Sequence, residues 1–199
     1  MVCNSLGEPE KLDPRIKRTR HVLDQAFTEL LAEKGFDAIT VQDITKRAEV
    51  NRGTFYAHFQ DKFALLDYSI RESFHQEISK RLLDSCLFSM ENLHHLIVAV
   101  CEFTRNLSST CVPAQRQFDP LVENQIRGQL YDLLLMWLKK IGSTVPPETS
   151  ATAASWAIYG LAMQWNHEKK SRTVKSFADE VLPLVAANLS LAQSVLGVN

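Results

Sequence analysis

The stretch NRGTFYAHFQDK, residues 51–62, decides how this chain is read. Phe55 and Phe59 are four residues apart and share one side of a helix. Gly53, Thr54 and Ala57 fall on the other side, with Tyr56 and His58 on the flanks. Asn51 suits a helix N-cap, so a helix is predicted over 52–59. One face is large and apolar, and the opposite face is kept small. Small outward residues let a helix backbone come close to base edges, and a Thr or Ala methyl packs on a thymine methyl. Flanking Tyr56 and His58 suit phosphate contacts, which fix register without reading sequence. Lys62 adds a cation beside the free N–H groups of the next helix, itself an anion-binding arrangement.

Upstream, Thr40 with Asp43 three residues on forms a capping box for a short helix whose inward face is Val41, Ile44 and Ala48. Glu49-Val50-Asn51 is a tight break. Before it, residues 13 to about 34 read as a longer helix, with Pro14 in the first turn, Gly35 as its stop, and a stripe of Ile16, Leu23, Ala26, Phe27, Leu30 and Leu31. Downstream, Asp61 caps a long helix from Lys62 to about 84, with Phe63, Leu66, Ile70, Phe74, Ile78 and Leu82 expected inward. Two short helices joined by a three-residue break behind a longer one are the helix-turn-helix arrangement, whose second helix enters the major groove.

The run ITVQDITKRAEVNRGTFYAHFQDKFALL resembles the DNA-binding head of the TetR/AcrR family of bacterial transcription regulators. The features carrying it are TxxxI, the A-x-V break, the G-T-aromatic-Y-x-H-F core and K-x-x-L-L. The resemblance implies a homodimer with one head per protomer on a palindromic operator. It implies phosphate or base contacts for Thr40 and Gln42, base-facing positions for Arg52, Gly53 and Thr54, and backbone contacts for Tyr56, His58 and Lys62. Ala57 stands where a larger residue is common, and Asn51 where Ser is common. Arg15, Lys17, Arg18 and Arg20 open the first helix, and Arg18 is taken as a phosphate or minor-groove contact.

With a net charge of −1, the protein does not attract nucleic acid through bulk charge, so its DNA site has to be a local patch. Cys3, Cys86, Cys101 and Cys111 are scattered without a CxxC, which suits reduced cytosolic thiols better than a zinc site. The N-terminus lacks an apolar signal region, and the uncharged run between Glu148 and Glu168 is rich in Ser, Thr and Ala. That run is read as a helix buried against protein, not lipid.

The remaining helices are expected at 91–107, 119–141, 148–168 and 173–196, the last kinked at Pro183. The fold class is all-α: residues 1–12 a flexible tail, 13–61 the DNA-binding domain, 62–199 a helical effector-binding and dimerisation body. The last two helices, about 148–196, are the dimer candidates: small Ala153, Ala154, Ala157, Gly160 and Ala162 on one, Phe177, Val181, Leu184, Val185, Leu189 and Leu196 on the other. A small apolar effector would be lined by His94, Phe103, Tyr131, Trp137, Tyr159, Met163 and Trp165, with Trp156 nearby and Asn106 or His167 as further polar anchors. No catalytic motif, cofactor or metal is called for, and the place of action is the cytoplasm. Two alternatives stand: a regulator without a small ligand, activator or partner-controlled, and a di-metal carboxylate enzyme using Glu72-x-x-His75 and Glu91-x-x-His94. The second lacks ligands facing the core, since both pairs fall off the apolar stripes.

Overall fold

A computed structural model describes residues 13–82, 87–110, 119–168 and 172–189, with the side chains of 108–110 and 119 left aside. The tail at 1–12, three of the four cysteines and the last turns expected up to 196 lie outside the described residues. Eight helices run through the described residues: α1 Pro14–Lys34, α2 Val41–Arg47, α3 Arg52–His58, α4 Lys62–Arg81, α5 Met90–Thr110, α6 Asp119–Ile141, α7 Pro147–His167 and α8 Val174–Asn188.

Each head helix starts where its sequence supplies an acceptor for orphan N–H groups. Asp13 accepts from Arg15, Thr40 from Asp43, Asn51 from Thr54, and Asp61 from both Phe63 and Ala64. The Thr40–Asp43 box is closed in both directions, at 2.8 and 3.2 Å. α1 ends at Gly35, whose φ of 73° suits a residue without Cβ. The α2–α3 break bends through Glu49, which holds φ 54° despite being a non-glycine. That conformation costs about 1 kcal/mol and lets Val50 donate back to Thr45.

Two apolar cores result. One gathers Leu23, Phe27, Phe36, Ile44 and Phe55 with Leu65, Leu66 and Ile70 of α4. The other gathers Phe74 and Ile78 of the same helix, and Leu82 just past its end, with the inward faces of α5 to α8. α4 therefore belongs to both, its first turns to the head and its last to the body. Leu121 and Val122 at the start of α6 also lean on the head core. A polar seam runs beside them, with Gln125 donating to Asp67 at 2.5 Å and Gln129 to the Arg71 carbonyl at 3.2 Å.

The α4 stripe differs from the expected one at its first member. Phe63 is 51% exposed, and Leu65 takes the fully buried place. Phe63 comes one residue after the start of the helix, beyond the edge of the head core, and its ring rests edge-on against Phe36 at 5.0 Å. Pro183 lies inside α8, which continues through it. Its missing N–H leaves the Asp179 carbonyl without the usual helical donor.

Candidate nucleic-acid interface

The interface is built on α3, a helix of 7 residues that could not persist alone and is held by packing. Phe55 is fully buried and Phe59, just past the helix end, nearly so; their rings are 6.0 Å apart. Tyr56 lies edge-on to Phe55 at 5.4 Å and is 51% exposed, so one aromatic anchors the helix and its neighbour is presented outward. Arg52, Gly53 and Ala57 are exposed, and Thr54 and His58 are half-buried. Gln42 and Arg18 are exposed on α2 and α1.

Gly53 serves a second purpose that the small-face argument did not contain. A Cβ there would stand 3.1 Å from the Asn51 carboxamide oxygen. That oxygen accepts from the Thr54 N–H at 2.7 Å and from the Thr54 hydroxyl at 3.1 Å. Gly53 thus leaves room for the cap that starts the helix, and the cap occupies the Thr54 hydroxyl. The Thr54 methyl is the part left for an apolar contact.

Two of the expected contact residues have partners within the head. The Thr40 hydroxyl donates to Asp43 at 2.6 Å and its N–H to the same carboxylate, so its donors serve the capping box. Lys62 sends its ammonium back into the head, to the carbonyls of Phe36, Asp37 and Ile39 at 3.1, 3.4 and 2.9 Å. The charge expected at the DNA backbone sits over the Phe36 ring, 4.4 Å from its centroid.

Electrostatics around the interface follow from these ties. Thr40 and then Lys34, at 2.9 Å, hold the Asp43 carboxyl well below the usual carboxylate range. Partial burial, and then the nearby Arg20 guanidinium, push the His58 imidazole down, so at neutral pH it offers one N–H without a charge. Arg20 is itself half-buried, its guanidinium 5.7 Å from the ring centroids of both Phe59 and Tyr68. Within the basic run opening α1, Arg20 is therefore a packing residue, whereas Arg15, Lys17 and Arg18 are exposed. Arg47 fixes α2 to α1 through Glu29 at 3.1 Å and Glu33 at 2.7 Å. Sequence reasoning missed the tertiary roles of Arg20, Arg47 and Lys62. Their only signal is a long cation near an aromatic or acidic residue that is remote in sequence.

In the body, the expected effector residues do not share one set of partners. Phe103 packs on Phe74 at 5.0 Å, Trp137 on Phe88 at 5.7 Å, and Trp165 on Phe177 at 6.3 Å. All three are buried in the body core, while Tyr131 and Tyr159 pack partly buried against it. Met163 is half-buried, and His94 approaches Asp179 of α8 at 3.0 Å. Glu72 lies 4.0 Å from Arg71, and among the described residues no group of three or more His, Cys, Asp or Glu is placed to hold a metal ion. A groove of about 980 Å³ opens elsewhere, between the starts of α4 and α6, and includes Phe63, Asp67, Leu121 and Arg127. Among the described residues, no helix is long and apolar enough to cross a membrane.

The sequence profile of "Bacterial regulatory proteins, tetR family" matches residues 23–68, from the middle of α1 into α4. The uncharacterised HTH-type transcriptional regulator YxbF of Bacillus subtilis (strain 168) is 44% identical over 71 residues, 34% of this chain and 19% of YxbF. The HTH-type transcriptional repressor DhaR of Mycobacterium sp. (strain GP1) is 28% identical over 123 residues, 60% of this chain and 61% of DhaR. The chain thus spans less than two thirds of the length of either relative. A TetR-family regulator from Streptomyces coelicolor A3 shares the fold, with a TM-score of 0.57 over 92% of this chain and 99% of that one, at 16% identity.

Proposed function

We propose that this chain is a DNA-binding transcription regulator of the TetR family that works as a homodimeric repressor on a palindromic operator, released when a small molecule binds its body. The observation that carries the reading is the outward face of α3: exposed Gly53 and Ala57 flanked by Arg52, Tyr56 and His58, on a helix pinned by Phe55 and Phe59. Arg52 at the first turn suits a bidentate contact to guanine, and the Thr54 methyl suits thymine. Tyr56 and His58 suit phosphates, as do Arg18 and Gln42 from the neighbouring helices.

Dimerisation is supported by the outer face of α7 and α8. Trp156 is 51% exposed and Leu184 60%, with exposed Ala153 and Gly160 alongside, a face on which a second pair of helices can approach closely. Repression is the stated role of DhaR, which aligns with more than half of this chain. The cytoplasm, where such an operator is reached, is the place of action. Release would work through α4, whose first turns are buried in the head core and whose last turns are buried in the body core. The two heads must sit about 34 Å apart, one turn of DNA, or a multiple of it. A ligand that prefers another spacing therefore lowers DNA affinity by linkage.

The burial of Phe103, Trp137 and Trp165 against three different neighbours favours a second reading for the control step, a regulator switched by a partner protein without a small ligand. DNA binding is common to both.

Selection of duplexes from a random pool tests the reading. The expected product is a palindrome with half-sites about one helical turn apart, or a multiple of it. Arg52→Ala should relax preference at one base position per half-site, and Tyr56→Ala should weaken all duplexes alike. Failure of the wild-type protein to enrich any sequence would sink the assignment.

A further inference from the structure

Lys62 is the first residue of α4, immediately after the cap Asp61. An ammonium has three N–H donors and no acceptor. Here three carbonyls receive them, at 36, 37 and 39, all on the short turn between α1 and α2. Phe36 and Ile39 are buried, and the Phe36 ring closes over the same charge. A lysine moved from this nest to a phosphate would take the ammonium donor from the carbonyl of buried Ile39 and leave the Phe36 carbonyl with the Ile39 N–H alone.

The position of the turn gives the contact its meaning. Ile39 directly precedes Thr40, the cap whose closed box with Asp43 starts α2. α2 passes through the fixed bend at Glu49 into Asn51, the cap of α3. Lys62 therefore joins the start of α4 to the first link of a continuous chain of backbone contacts that ends at the recognition helix.

We propose that Lys62 is a positioning residue: its ammonium fixes the angle between α4 and the α2–α3 pair, and it does not neutralise a DNA phosphate. The inference rests on the DNA-binding reading above and says which residue makes the head move as one piece with α4. It separates two kinds of substitution. Lys62→Met keeps the stem and removes the donors. Lys62→Arg keeps the charge, but a flat guanidinium fork cannot converge on three carbonyls as an ammonium does.

The test uses the full chain, the duplex enriched from the random pool and a scrambled duplex of equal length, titrated over a series of salt concentrations. Each variant is measured at a temperature where circular dichroism shows it folded. Both variants should bind the enriched duplex weaker by about tenfold, the scale of one lost base contact. Binding to the scrambled duplex should change by less than about twofold, because its affinity comes from phosphates that are still met. The slope of log K against log salt should be unchanged.

A phosphate contact would give the opposite pattern: equal loss on both duplexes for Lys62→Met, a slope shallower by about 0.9, and wild-type binding for Lys62→Arg. That pattern overturns the proposal, as does wild-type binding by both variants. If Lys62→Met does not fold, Lys62→Arg decides between the two patterns alone. A wild-type protein that enriches no duplex fails at the earlier step and removes the DNA-binding reading itself, a result distinguishable from any variant pattern.

Discussion

The head and the body bury apolar faces of helices by different means. In the head, helices of 7 residues are fixed by directional bonds: the Thr40–Asp43 box, the Asn51 and Asp61 caps, the Arg47 fork and the Lys62 nest. In the body, helices of 15 to 23 residues are joined mainly through side-chain volume: Leu93, Ile97, Ile126, Leu134 and Ile158 are all buried there. Polar ties in the body, such as Arg81 with Glu77 and Glu102 or Asn166 with Thr104, supplement that core. Directional bonds set angles, and a groove-reading helix needs a set angle. Volume packing tolerates exchange among hydrophobic residues of similar size. The head should therefore lose function through small local changes that the body would absorb.

The largest test of this contrast is Phe55→Ala. It removes a fully buried ring from the smaller core and should cost about 3–5 kcal/mol. DNA binding should vanish, with hydrogen exchange accelerating over 40–60 while the slowest amides of α6 and α7 stay protected. Equal acceleration throughout would mean that the two cores are one cooperative unit, and the contrast would fail.

Gly53→Ala should have a smaller effect on stability and a clear one on binding. Alanine gains up to about 1 kcal/mol of helix propensity. The new methyl also presses on the Asn51 oxygen at 3.1 Å and narrows the outward face. Melting temperature should stay within a few degrees of wild type, while affinity for the enriched duplex falls about tenfold or more. Retained affinity would show that neither the cap nor the clearance sets the approach to DNA.

The smallest expected effect concerns pH. The folded-state Asp43 carboxyl is held below its unfolded value of about 3.9, so its contribution to stability is present above that value and is lost as pH falls further. Asp43→Asn should make the acid-side fall in head stability, followed by urea melts below about pH 4, shallower than in the wild type. An identical acid profile would remove Asp43 from the set of ties that hold the head.

The same contrast explains what the sequence disclosed. Caps and breaks are local, so Thr40, Asn51 and Asp61 placed three helix starts correctly before any tertiary contact was known. Phe63 was misplaced because a helical stripe cannot say where the core it faces ends. The ties of Lys62 are not legible in the sequence because its acceptors lie 23 to 26 residues upstream, beyond any periodic pattern. The capping box that uses the Thr40 donors is legible in the four residues Thr40 to Asp43. In the body, the aromatic residues that line a pocket and those that fill a core are the same types, so Phe103, Trp137 and Trp165 could be named but not assigned.

α4 contains neither glycine nor proline from Lys62 to Arg81. An uninterrupted helix of that length is a rod of about 30 Å, and a tilt of about 5° at one end carries the other through roughly 2.6 Å. With head and body cores gripping opposite ends, the rod would serve the proposed release as a lever that has no joint of its own. Its fulcrum must lie in the contacts around it, where Leu121 and Val122 of α6 meet the head. A glycine placed mid-helix would turn the lever into a hinge, and motion of the body would then be spent in bending before it reached the DNA.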